Sequence, residues 1–296
     1  MLLGEFAALA TAFLWSGSAI AFTEASRTVG SSLVNITRMI IGEFLLLITV
    51  LFLSVNYNIS GSQYANLVIS GIIGIAVGDA FLFKAFELIG ARLSMLLMCL
   101  APIIAAFFAY IFLNENISNW GIVGVVVTFI GILLVLIQKQ DSNIKKNKHI
   151  YKGIFFAFMA AVGQGAGLIF AKLAFNEGEI NGFFATFIRL GASLILFYPI
   201  LFFSNKLKNP IKKFKNNKKA FVYSSVGAVI GPYLGITLSL IAISHTYVGV
   251  ASTLMSTVPI IMLPIVWIFY KEKLSFRSIV GAVVAVAGIT ILFLMN

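Results

Sequence analysis

Apolar residues come in unbroken runs of about twenty along this chain, separated by short polar interruptions. The runs show neither the one-sided stripe of a surface helix nor the alternation of a half-buried strand. A helix needs about 20 such residues to cross a hydrocarbon core of roughly 30 Å. The runs predict crossings over 3–22, 33–53, 65–87, 92–113, 119–138, 152–175, 181–203, 220–243, 248–270 and 275–295. Most connections are short, which makes neighbouring helices antiparallel hairpins. The exceptions, 139–151 and 204–219, are lysine-rich. Barrel strands would alternate over about ten residues, so the expected fold class is an all-α integral membrane protein with ten transmembrane helices. The first run is not a cleaved leader. Met1-Leu2-Leu3-Gly4-Glu5 lacks a basic stretch, and apolarity continues past Ala8-Leu9-Ala10 through Trp15 to Phe22.

The runs also repeat. Shifting residues 74–132 by 157 positions aligns Gly74 with Gly231, Gly78 with Gly235 and Ala85 with Ala242. Leu97-Met98 falls on Leu254-Met255, and Pro102-Ile103-Ile104 falls on Pro259-Ile260-Ile261. Glu115 meets Glu272, Ser118 meets Ser275, Gly124 meets Gly281 and Gly131 meets Gly288. Arg38 and Arg189 correspond near the starts of the second and seventh runs, with a small slip in register. The chain therefore reads as two five-helix units, 1–138 and 152–296, joined by the basic loop 139–151. An odd helix count sends the second copy into the membrane from the opposite side. The two copies are then related by a pseudo-two-fold axis in the membrane plane, the arrangement of many secondary transporters, with substrate bound near the midplane.

Composition agrees. Of 296 residues, 60% are hydrophobic and 10% charged, whereas a soluble domain carries about 25% charged residues. The net charge of +11 does not imply nucleic acid, because the basic residues sit in short loops rather than in a patch on a polar fold. Nearly all Lys and Arg fall on the side opposite the termini. Charge bias then puts the lysine-rich loops 139–151 and 204–219 in the cytoplasm and both termini outside. The lone Cys99 can form no internal disulfide and reads as a packing residue.

Ionisable groups within the runs are the first functional candidates. Asp79 lies past the middle of the third run, and its repeat mate is Ile236, so the shared scaffold does not require the charge. It reads as a proton-coupling group, a partner for a cationic solute, or half of a pair with Lys84 or a base on another helix. Glu43 is central in the second run, five residues after Arg38. That spacing turns the two side chains roughly 140° apart, so each needs a neighbouring helix or a water-filled cavity. Arg38 and Arg189, as mates, read as scaffold charges. Glu115 and Glu272 do too, because a negative charge at a helix C-terminus opposes the dipole and needs a basic neighbour.

Polar and aromatic side chains scattered on apolar helices are the expected pocket lining. They are Trp15 and Ser16, Gln164, Tyr233 and Thr237, and Ser252 and Ser256. Pro232 before Tyr233 would free backbone groups there. Gly121, Gly124, Gly281 and Gly288 suit close helix packing or a dimer face.

Several of these features occur together in one family. Trp15-Ser16-Gly17, the paired arginines, the prolines of the fourth and ninth runs, the acids that close them and the spaced glycines that follow resemble the EamA-like family of the drug/metabolite transporter superfamily. The resemblance spans both halves. It implies ten helices as two inverted five-helix repeats that move small organic metabolites, amino acids or drugs, often outward. Many relatives are drawn with cytoplasmic termini, against the charge bias here. The mate of Trp15 is polar, near Gln164, so the halves do not offer equivalent walls.

The function expected is secondary transport of a small organic solute by alternating access, with export and proton coupling as its candidate direction and drive. A lipid flippase is the alternative. An intramembrane enzyme fits less well. Gly78-Asp79 lacks a second intramembrane aspartate, His149 and His245 are isolated, so no metal site is expected, and no Gly-x-Ser-x-Gly appears. No Walker loop is present, so no nucleotide cofactor is expected. The partners expected are a small-molecule substrate, the lipid bilayer of a prokaryotic plasma membrane and protons, in a monomer or homodimer.

Overall fold

A computed structural model describes residues 2–53, 58–113, 118–142, 149–204, 210–245, 251, 254–271 and 275–294. Among them all regular structure is helical. Helix α1 (Leu2–Val29) turns at Gly30 into α2 (Ser31–Phe52). The single connecting residue has φ 95°, a conformation that costs little only for glycine. Ser60 and Gln63 then cap α3 (Gly61–Ser70) reciprocally. Without a break α3 passes through a π-helical segment, Gly71–Gly78, into α4 (Asp79–Leu97). After α5 (Leu100–Leu113) and α6 (Asn119–Ser142), the second half follows as α7 (Ile150–Asn176), α8 (Gly182–Phe203), α9 (Pro210–Asn216) and α10 (Lys218–Ala228). A second π-helical segment, Val229–Ile236, leads into α11 (Thr237–His245), and α12 (Val258–Tyr270) and α13 (Phe276–Leu294) complete the described chain.

Among the described residues six helical stretches are long and apolar enough to cross a membrane, with shorter apolar helices over Asn119–Val135, Val258–Tyr270 and Phe276–Leu292. Two boundaries differ from the sequence expectation. The expected third and fourth helices form one helical stretch, Gly61–Met98, interrupted at Gly90, whose φ of 79° and ψ of 170° redirect the chain without a loop. The expected fourth helix is itself broken, with turns at Met98 and Cys99 before α5. The same break recurs at Ser256 and Thr257 before α12. Each break leads into a proline, Pro102 or Pro259, and proline in the first turn of a helix needs no partner for its missing N–H.

The outer surface is apolar on nearly every helix, with Phe44, Ile195, Phe203 and Trp267 among its exposed side chains. The interior holds Thr11, Asn35, Arg38, Asp79 and Arg189. A water-soluble fold does not display apolar surface on that scale. Lipid is the solvent that permits it, because the helical backbone satisfies its own polar groups.

Glycine contacts bring the helices together in a reciprocal pattern. A Cβ on Gly124 would fall 2.6 Å from the Gly288 carbonyl oxygen, and one on Gly131 would fall 2.6 Å from that of Gly281. Gly124 is the repeat mate of Gly281, and Gly131 the mate of Gly288, so each glycine meets the mate of the other. That reciprocity is the mark of a two-fold relation, and it runs α6 antiparallel to α13. Residues 157 apart also touch directly. The Thr128 hydroxyl lies 3.3 Å from the Ala285 carbonyl, and Cys99 Sγ 3.9 Å from that of Ser256. These glycines therefore face one another within the chain rather than outward toward a second copy.

Candidate functional site

A cavity of about 180 Å³ lies at the centre of the bundle, lined from both halves of the chain. Its lining is mostly apolar, and among the described residues its charged members are Arg38, Asp79 and Arg189. Each is 4% exposed.

The π-helical segment ends at Asp79 and delivers its carboxylate to the cavity. π-turns widen a helix locally and recur at functional sites. Here two occur at matched positions, over Gly71–Gly78 and Val229–Ile236. Gly78 packs on the backbone of Gly163 and Gln164, and its mate Gly235 packs on the Trp15 indole. A Cβ on Gly235 would meet the Trp15 indole at 2.7 Å and displace that wall residue, whereas one on Gly78 would touch the Gln164 backbone at an ordinary 3.4 Å.

Arg38 Nη2 donates to Asp79 Oδ2, and Arg38 Nε donates to Asn35 Oδ1 at 2.9 Å. The guanidinium also lies over the Phe83 ring at 4.7 Å and near Phe22 at 5.8 Å. Gln164 Nε2 donates to Asp79 Oδ1 at 2.8 Å and to the Gly74 carbonyl at 3.2 Å. Both carboxylate oxygens are thereby engaged, and the Arg38 charge is balanced where it is buried. Lys84, the other partner considered for Asp79, pairs instead with Glu87 at 2.8 Å.

Arg189 differs from its mate. Its Nε is buried without a hydrogen-bond partner, and its guanidinium forms no ion pair among the described residues. Position 236, where the repeat would supply the matching acid, holds Ile236, an apolar part of the lining.

The cavity brings together Trp15, Asp79, Gln164 and Ser256 from the residues singled out in the sequence as pocket candidates, together with Arg38 and Arg189. Four others lie elsewhere. The Ser16 hydroxyl donates to the Ala12 carbonyl at 2.7 Å, and that of Thr237 to the Tyr233 carbonyl at 2.6 Å. Both are thus satisfied along their own helices. Glu43 lies against Gly191 where α2 crosses α8, with Oε2 buried and unpartnered. The Tyr233 hydroxyl lies 2.8 Å from Thr49 Oγ1. Thr49 already donates to Leu45, so Tyr233 is the donor and serves as a cross-link to α2. Tyr233→Phe is expected to lower the melting free energy by about 0.5–1.5 kcal/mol, the worth of one hydrogen bond, while ligand preference stays unchanged. Melting of the detergent-solubilised protein with and without ligand checks both. Ser252, Glu115 and Glu272 lie outside the described residues.

In sequence Cys99 reads as a packing residue and Arg38 and Arg189 as scaffold charges. All three line the cavity. The repeat holds the signal for the cysteine, because Cys99 is the mate of Ser256, a pocket candidate. For the arginines the signal was their burial cost in an apolar span.

Comparison with known proteins agrees with this architecture. A family model described as the EamA-like transporter family matches residues 2–137 and again 151–294. An uncharacterized transporter, YdfC of Bacillus subtilis (strain 168), is 24% identical over 228 residues, covering 76% of this chain and 69% of that one. A protein of known crystal structure superposes with a TM-score of 0.66 at 14% identity, over 99% of both chains, which is a likeness of fold.

Proposed function

The chain belongs to the EamA-like transporter family, and from that premise we propose that it is a secondary transporter carrying a small organic solute by alternating access. The observation that carries this reading is the partly open cavity with buried polar anchors contributed by both halves. Its size bears on the cargo. About 180 Å³ is close to the roughly 150 Å³ cavity that holds benzene, and below the ~300–1,000 Å³ typical of drug-sized ligands. An amino-acid-sized metabolite fits this volume.

The mechanism follows from ten crossings arranged as two inverted five-helix repeats. The stretch from Gly61 to Leu113 supplies two of them, divided at Gly90. The antiparallel contact of α6 with α13, and the meeting of residues 157 apart, support the inversion. In such a pair, rocking one repeat against the other exposes the shared cavity to one side and then the other. Export is the direction the family resemblance implies. Of the mid-span carboxylates Asp79 and Glu43, Asp79 has both oxygens engaged. That leaves Glu43 as the group a proton gradient would act through, with Asp79 as the alternative. The lysine-rich loops would face the cytoplasm and the termini the outside, by charge bias.

Flux into and out of liposomes holding the purified protein, with and without a pH gradient, tests the proposal. Saturable movement of a small solute is the expected result. Translocation of a fluorescent lipid with no solute flux would replace the transporter reading with a flippase.

A further inference from the structure

We propose that the cargo is a small organic anion, held through its carboxylate by Arg189 with its apolar body against the cavity wall; this rests on the transport reading of the same cavity.

The charges carry the inference. Among the described residues the lining holds two guanidinium groups and one carboxylate. The carboxylate is committed, since Asp79 accepts from Arg38 on one oxygen and from Gln164 on the other. Arg38 is likewise committed to Asp79, to Asn35 and to the face of Phe83. Asp79 also attracts Arg189 through space, but one carboxylate cannot neutralise two guanidinium groups, so one positive charge is in excess. Arg189, which makes no ion pair among the described residues, is 4% exposed and borders the cavity. The remaining mid-span acid does not balance it, because Glu43 abuts Gly191 outside the lining and forms no ion pair with Arg189.

A buried guanidinium that must share its counter-charge with a second one is costly, and the repeat shows where a dedicated acid is missing. The first half pairs Arg38 with Asp79. The second half keeps the arginine and replaces the acid with Ile236. An anionic ligand supplies that acid reversibly. The planar fork of arginine matches a carboxylate through two parallel N–H···O bonds. Among the described residues no uncommitted acid lines the cavity, so a ligand ammonium group would find no free carboxylate and would add to the excess positive charge. This favours a plain carboxylic acid over its amino or amide analogue. The Trp15 ring and the methionines Met95, Met98 and Met255 provide the apolar wall, and methionine adapts to irregular shapes.

Equilibrium binding to the purified full-length protein in detergent tests this without requiring transport. Trp15 borders the cavity and provides a fluorescence signal. The probes are benzoate with benzamide and benzylamine, and isovalerate with its amide and amine. At least one acid is expected to bind about tenfold or more tighter than its amide and amine, which corresponds to about 1.4 kcal/mol. Arg189→Gln should abolish that preference, and Arg189→Lys should restore part of it, because charge remains but the fork is lost.

Ile236→Asp provides a second test with Arg189 in place. An acid installed at the mate of Asp79 should leave a folded protein whose acid binding has dropped at least about tenfold. Equal or tighter binding of the amides or amines, binding of neither acid, or undiminished acid binding in folded Arg189→Gln or Ile236→Asp would overturn the proposal. The two readings fail separately. Acid binding without solute flux in liposomes would sink transport alone, and saturable flux of a neutral or cationic solute without acid binding would sink the anion assignment alone.

Discussion

Asp79→Asn is expected to destabilise the folded protein by about 3–5 kcal/mol, the cost of removing one partner from a buried ion pair. The amide keeps the shape of the carboxylate but leaves Arg38 charged and buried, in a cavity that already holds Arg189. Arg38→Met should be similarly damaging, since Asp79 would retain only the Gln164 donor at 2.8 Å. Replacing both, as Arg38→Met with Asp79→Leu, should recover most of the loss. A buried pair exchanged for apolar residues of similar volume is often neutral or stabilising. The difference between the double variant and the two single ones is the coupling energy of the pair. Thermal unfolding and monodisperse yield in detergent measure it. Wild-type stability in Asp79→Asn, or a double variant no better than either single one, would show that the pair does not hold α2 to α4.

The double variant also isolates the role of Asp79 in coupling, because it restores the fold without the carboxylate. With both oxygens engaged, Asp79 is expected to act as the anchor of Arg38, so pH-driven flux should survive in the double variant. Its loss would make Asp79 the proton-carrying group. Its survival directs the search to Glu43, whose Oε2 is buried without a partner.

The second large effect is expected at the glycines between α6 and α13. Gly131→Leu and Gly281→Leu should each eliminate folded protein. Overpacking ordinarily costs about 1–3 kcal/mol because side chains can shift. Here the obstruction is backbone, the Gly281 carbonyl 2.6 Å from a Cβ on Gly131 and the Gly131 carbonyl 2.8 Å from one on Gly281. Relief would require separating the two helices along their length. The reciprocal pattern predicts the same outcome at Gly124 and Gly288. Gly61→Ala is the control, since a Cβ there meets nothing within 4 Å. Extraction yield and melting temperature decide the matter, and a Gly131→Leu protein that melts like wild type would dissolve the proposed two-fold contact.

Much of this molecule could be read from local sequence. Each span needs its own apolar run, and lipid offers the backbone no outside partners, so membrane helices announce themselves residue by residue. The repeat was equally legible, because duplication leaves glycines and prolines at matched spacing. Two boundaries were not legible. Gly90 breaks the helix by its left-handed φ, yet a glycine in an apolar run also suits close packing. The breaks before Pro102 and Pro259 leave no mark in hydropathy.

The site divides along the same line. Sequence alone established which residue types could do chemistry in lipid, since a charge or amide in an apolar run is conspicuous wherever the helix points. Only the tertiary structure decided which of them meet. Arg38 and Asp79 are 41 positions apart, Gln164 is 85 beyond Asp79, and Arg189 comes from yet another helix. Tyr233 and Glu43 look equally promising in sequence but turn to Thr49 and Gly191. The reason is rotational. Because a fully apolar helix has no polar face to set its orientation, its rotation about its own axis is fixed by packing against its neighbours, and here by glycine contacts that exist only once both halves are in place.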